Sequence, residues 1–121
     1  MTDLLAQAAS FLSSVRKTHM SATVVYSRGE DSVELAATLD RSEHELATAE
    51  GFATVIESVD FLIAAADLVL NGAAAQPRRG DRIEYAGETY EVLDRPGLPA
   101  FRREDPHGYT LRVFCKIVEG D

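Results

Sequence analysis

Asp60-Phe61-Leu62-Ile63, Ala66-Asp67-Leu68, Pro77-Arg78-Arg79-Gly80-Asp81-Arg82-Ile83 and Gly87-Glu88-Thr89-Tyr90-Glu91-Val92-Leu93 follow one another through the middle of the chain. The first block ends the longest apolar, β-branched run. The second is short and flanked by alanines, the third turns on Gly80, and the fourth alternates after a glycine. In order they read as a strand, a short helical turn, a loop and a tight hairpin, which is how a small β-barrel closes. None of the blocks carries a recognisable catalytic set.

Upstream, Phe52 to Ile63 reads mostly as a strand, with a helix as the competing reading because alanines surround its end. Thr23-Val24-Val25-Tyr26 is β-branched and aromatic, and Arg28-Gly29-Glu30-Asp31 supplies a turn. Val33, Leu35, Ala37 and Leu39 then alternate with Ser32, Glu34, Ala36 and Thr38, so a hairpin with one buried face is expected. Asp40 to Glu50 is polar, and Glu43 to Leu46 fits either a short strand or a mobile loop. At the N-terminus Thr2 or Asp3 can cap a helix over residues 2–18, whose apolar stripe is Leu4, Leu5, Ala8, Phe11, Leu12 and Val15.

Downstream, Ala64 to Leu70 is expected to make one or two helical turns closed by Asn71-Gly72. Ala73 to Arg79 is a connector. Arg82 to Tyr85 and Thr89 to Leu93 flank Ala86-Gly87-Glu88 as a second hairpin. Asp94 to Gly108 holds Pro96, Gly97, Pro99, Pro106 and Gly108 and reads as a long loop of the kind that either has a function or is disordered. Tyr109 to Val118 is the closing strand, with Tyr109, Leu111, Val113, Cys115 and Ile117 on one face. The expected fold is mainly β: a small, partly open antiparallel barrel with an N-terminal amphipathic helix and a short internal helical turn.

The chain has 121 residues, enough for one domain with one core. The longest apolar stretch is about half of the roughly 20 residues that a membrane span requires, and no secretory signal pattern opens the chain. A single cysteine, Cys115, excludes an internal disulfide and fits synthesis in a reducing cytoplasm. On its alternating strand it reads as a small buried hydrophobe rather than a nucleophile.

The formal charge of −8 argues against a general nucleic-acid binder. Residues 78–121, however, carry 8 of the 12 bases against 9 acids, and six of those bases lie between Arg78 and Arg103. His19, His44 and His107 are far apart and show no metal-binding spacing, so neither a metal nor a cofactor is expected. Glu43, Glu45, Glu50 and Asp67 read as solvated acids. Asp60, beside an apolar strand, reads as a turn cap or as the partner of an arginine. Arg79-Gly80-Asp81 spells an adhesion tripeptide, but Gly80 suits a sharp turn and Asp81 suits backbone hydrogen bonds there. Arg95, Phe101, Arg102 and Arg103 combine aromatic and basic character. That suits either stacking on single-stranded nucleic acid or docking to a protein, and the net acidity favours docking.

The order Asp60-Phe61-Leu62-Ile63, Ala66-Asp67-Leu68, Pro77 with Gly80-Asp81-Arg82-Ile83, Tyr90-Glu91-Val92-Leu93 and Thr110-Leu111-Arg112-Val113 resembles the small head–tail joining proteins (head-completion or stopper proteins) of long-tailed bacteriophages. The resemblance covers mainly Asp60 to Val118 and more weakly Thr23 to Leu39. It implies a barrel subunit of the virion neck, made in the host bacterial cytoplasm and without catalytic residues. The subunit would assemble as a ring below the portal or its adaptor, close the filled head and dock the tail. DNA would pass through without sequence-specific binding. Loops 40–51 and 94–108 would make the ring and partner contacts, with Glu43, Glu45, Arg95, Phe101, Arg102 and Arg103 as candidate contact residues. The alternatives are a tail terminator or adaptor, or a non-viral small-barrel protein-binding module.

Overall fold

A computed structural model describes residues 21–118 of the chain, and the helix expected over residues 2–18 lies outside them. Nine strands are formed: β1 (Ser21–Arg28), β2 (Asp31–Ala47), β3 (Ala53–Ala64), β4 (Val69–Leu70), β5 (Ala73–Ala74), β6 (Arg82–Tyr85), β7 (Glu88–Val92), β8 (Phe101–Arg103) and β9 (Thr110–Val118). The main sheet runs β3-β2-β1-β6-β7-β9-β8, and β9 also pairs with β3. That last pairing joins Val59–Ala64 to Thr110–Cys115 and closes a six-stranded antiparallel barrel. The barrel is therefore closed rather than partly open. Closure leaves no long unpaired edge in the wall, which is how a short-stranded sheet avoids joining to other sheets.

The interior follows from the period of two. Val24 and Tyr26 of β1, Leu35 and Ala37 of β2, Phe61 and Ile63 of β3, and Leu111, Val113 and Cys115 of β9 all point inward, joined by Ile83 and Val92. Phe61 meets Tyr90 edge-on with ring centroids 5.1 Å apart. Tyr90 and Tyr85 thereby fill the barrel end nearest Val118. Leu68, just before β4, and Leu70 of β4 join the core.

The hairpins are tight. Arg28 pairs with Asp31 across Gly29-Glu30, and Tyr85 pairs with Glu88 across Ala86-Gly87. Ala86 and Gly87 both take positive φ, 53° and 81°, as a turn matched to the twist of its strands requires. Asn71-Gly72 is the same device, with φ of 52° and 75°, and joins β4 to β5. The helical turns expected over Ala64–Leu70 shrink to one 3-10 turn, Ala65–Asp67. Asn71-Gly72 closes a small hairpin rather than a helix, because Val69 and Leu70 pair with Ala73 and Ala74 before any helix can continue.

Two further expectations change. Glu43–Leu46 belongs to neither a short strand nor a loop, because β2 runs unbroken for 17 residues. Its register with β3 is continuous from Ala37↔Ile63 to Ala47↔Ala53. The stretch 94–108 is not wholly loop either, since Phe101–Arg103 pairs with Leu111–Val113 as β8. Within the closing strand, Leu111, Val113 and Cys115 are buried as expected, while Tyr109 and Ile117 are exposed where the strand runs past the core at either end. Cys115 is a buried free thiol, and burial pushes its pKa well above the usual range.

Candidate assembly surface

Among the described residues β1 begins opposite Thr38, and none of them pairs with β2 on that side beyond this point. β9 stops pairing with β3 at Val59. The rest of β2 and β3 therefore projects past the barrel as a two-stranded arm. Its tip is held by Thr48, whose N–H donates to the Phe52 carbonyl at 2.7 Å and whose hydroxyl oxygen accepts from the Phe52 N–H at 3.1 Å. An isolated ribbon of two strands is marginal in water. This one is held because one face packs.

The packed face carries Ser42, His44 and Leu46 on β2 and Thr54, Ile56 and Ser58 on β3. Leu46 and Ile56 lie against Leu93, Leu98 and Phe114, a small second core outside the barrel wall. His44 meets the Phe114 ring edge-on at 4.9 Å. Full burial of a side chain such as Phe114 is worth about 1.5–3 kcal/mol, so this cluster is what fixes the arm. The loop 94–100 is fastened in turn by Arg79, which donates to the carbonyls of Arg95 (2.9 Å) and Leu98 (2.8 Å).

At the arm's root lies a polar hub. Arg112 of β9 donates from Nη1 to Asp60 (2.7 Å), from Nη2 to Asp40 (2.9 Å) and from Nε to Glu104 (2.7 Å). One guanidinium thus ties β9 to β2, to β3 and to the turn after β8. Burial disfavours its charge, but hydrogen bonds to Glu104, Asp60 and Asp40 outweigh that and raise its pKa. Arg112, followed by Arg102, holds the Glu104 carboxyl below its ordinary value against the opposing effect of burial. Asp60 is fully buried and also accepts from Ser58 (2.6 Å) and from Ser42. The arginine partner expected for Asp60 is Arg112.

His44 Nε2 lies 2.9 Å from Ser58 Oγ, so histidine, serine and aspartate stand in one chain. The order is wrong for nucleophilic catalysis. Ser58 gives its proton to Asp60, which leaves the His44 nitrogen to act as donor, and the serine oxygen is buried. A catalytic triad instead needs the histidine between the other two, taking the serine proton. The trio braces the arm.

A second node explains Arg79-Gly80-Asp81. Buried Asp81 accepts from Tyr26, from Arg28 (3.0 and 2.8 Å) and from the Arg78 N–H (3.0 Å). Gly80 takes φ 87° at the turn. The tripeptide builds the start of β6. Burial and the Asp81 carboxylate push the Tyr26 phenol far above its usual pKa.

The candidate contact residues divide between two regions. Glu43 and Glu45 lie exposed on the unpacked face of the arm, and Arg95 lies exposed at the loop that backs the packed face. Phe101 is half-buried on β8 and packs on the barrel core, so its side chain serves the fold. Arg102 is tied to Glu104 at 3.0 Å and lies 5.9 Å over the Phe114 ring. Arg103 is exposed beside Gly108. Reading residues one at a time missed the arm itself. Its signal was the alternation of Ser42, His44 and Leu46 with Arg41, Glu43 and Glu45, matched by Thr54, Ile56 and Ser58 on the partner strand.

A family model described as phage head-tail joining protein matches residues 2–120. The chain belongs to the phage head–tail joining family. Curated proteins gave no match. The head–tail joining family is a structural one, and membership makes the chain a component of the virion. The resemblance carried by Asp60 to Val118 thus extends to nearly the whole sequence. No helix among the described residues is long and apolar enough to cross a membrane.

Proposed function

We propose that the chain serves in the neck of the virion as a ring of identical subunits below the portal or its adaptor, where it closes the DNA-filled head and offers the tail a docking surface. The observation that carries this reading is the family match over residues 2–120. The architecture supports it. A closed barrel is a rigid body with no long open edge in its wall, while the arm and the loop 94–100 extend from it as contact surfaces. The formal charge of −8 suits a ring around a DNA channel, since acidic walls repel phosphate and let the duplex slide.

The test is a pull-down of the purified chain with DNA-filled, tailless capsids from its source, followed by electron microscopy. Ring density at the portal vertex is the expected result. A folded chain that leaves the vertex bare sinks the stopper reading and moves the chain to the tail side, as a tail terminator.

A further inference from the structure

We infer that the exposed face of the β2–β3 arm docks on the loop corner formed by Arg78, Arg79 and Arg95 of a second copy of the chain. The inference deepens the ring reading above and rests on it for the presence of neighbouring copies.

The arm is two-faced. Residues whose side chains alternate inward within the barrel continue past its mouth as Arg41, Glu43 and Glu45 on β2 and as Val55 and Glu57 on β3. Nothing among the described residues covers them. Val55 is 57% exposed, Ile117 at the mouth is 46% exposed, and Phe52 at the tip is 71% exposed. A groove of about 330 Å³ runs along the root between Arg41, Glu57, Val59, Lys116 and Ile117. Among the described residues, the backbone edges beyond Thr38 on β2 and before Val59 on β3 also have no strand partner.

The charges on this face oppose one another within a single chain. Glu43 sits directly across from Glu57, with Glu45 next along the strand. Like charges in that position destabilise a strand pair. No ion pair among the described residues involves Glu43, Glu45 or Glu57. A subunit that worked alone would gain by replacing one of them.

The complement lies on the same chain, on the other side of the arm. Leu98 packs against the arm's covered face through the second core, and Arg79 clamps the Arg95 and Leu98 carbonyls. Arg79 and Arg95 therefore meet behind the arm, with Arg78 and Asp94 next to them along the chain, and all four are exposed. None of the three arginines forms an ion pair within the described residues. An acidic face on one side and a basic corner on the other cannot meet within one molecule, but they match from copy to copy. Such a contact is heterologous. Repeated, it gives a ring when the rotation closes.

The test reverses each half. Glu43→Lys/Glu45→Lys/Glu57→Lys alters the arm, and Arg78→Glu/Arg95→Glu alters the corner. Self-association is followed by sedimentation velocity at low salt, and assembly on tailless capsids by electron microscopy. Each variant alone is expected to associate roughly tenfold or more weakly, as for lost charge pairs across an interface. An equimolar mixture is expected to recover wild-type association, because a lysine arm then meets a glutamate corner at every second contact and the native pair meets at the others. Circular dichroism should report the same fold throughout. The single change Glu57→Lys gives an independent check, since it places a cation opposite Glu43. It should leave the monomer at least as stable to urea while weakening association.

Variants that associate like wild type, or a mixture that fails to recover, overturn the inference. Undiminished capsid binding by both variants removes the arm contact and leaves the neck reading intact. Charge-dependent association in solution without capsid binding upholds the contact and removes the neck reading. A wild-type chain that associates in neither setting overturns the contact.

Discussion

Arg112 is the residue on which most of the described polar structure depends. Three carboxylates from three segments converge on it, and one of them, Asp60, has no access to water. Removing a buried charge's partner costs far more than the pair contributes net, because the remaining ion keeps its desolvation penalty. Arg112→Met should therefore lower stability by about 3–5 kcal/mol, measured by urea unfolding. A loss below ~1 kcal/mol would mean that the Arg112–Asp60 contact does not carry the hub. Glu104 adds a pH dependence whose sign follows from its depressed pKa. Its contribution is fully present above the unfolded value of about 4.3 and is lost as pH falls through the lower folded value. Wild type should be more stable than Glu104→Gln at neutral pH, and the gap should close under acid. A gap that is constant down to about pH 2 would show that the carboxylate does not titrate in this contact.

The arm and its backing loop form the next scale. A ribbon that extends beyond its sheet needs one face buried to keep its register, and Leu46 and Ile56 supply that face against Leu93, Leu98 and Phe114. The approach is close at Gly97, whose φ is 87°, and a Cβ there would come within 2.9 Å of Leu46 Cδ1. Gly97→Ala should cost roughly 1–2 kcal/mol from backbone strain together with the clash. Part of that loss should return in a Leu46→Ala background, where the clash is gone and only the backbone term remains. Independent, additive losses would mean that the loop and the arm do not touch. Because no described residue packs on the exposed face, substitutions there should leave the fold intact, as the proposed contact with a neighbour requires.

At the scale of the whole molecule, closure is the organising event. β9 pairs with β3 on one edge and with β7 and β8 on the other, so both ends of the sheet depend on it. Val113 sits at its centre, fully buried. Val113→Asp should unfold the barrel, since an unpaired charge there finds neither water nor a partner. A native circular dichroism spectrum and melting curve for that variant would contradict the assigned inward face of β9. The closed barrel holds the arm and the basic corner at a fixed separation, which is what the proposed copy-to-copy contact requires.

Much of this was legible from local pattern. The strands read at Thr23–Tyr26 and Thr89–Leu93, the turns at Arg28–Asp31 and Ala86–Glu88, the buried thiol of Cys115 and the structural use of Arg79-Gly80-Asp81 all follow from alternation and turn chemistry within a few residues. Asn71-Gly72 was legible too, but as a hairpin signal; the alanines before it weigh toward helix until Val69 and Leu70 pair with Ala73 and Ala74. The polar run from Asp40 to Ala47 looks like loop because its burial comes from Leu93, Leu98 and Phe114, some 50 residues or more downstream. Arg112 likewise finds Asp40 and Asp60 only across β3–β9 closure. The sequence by itself determined which segments extend, where they turn, and that the molecule is acidic with a basic stretch after residue 77. Only the tertiary structure decided that the barrel closes, that β2 and β3 outrun it, and that acid and base fall on opposite sides of one arm. Period and turn type are set by neighbours along the chain, whereas closure and facing depend on contacts between residues far apart in it, to which no local pattern is sensitive.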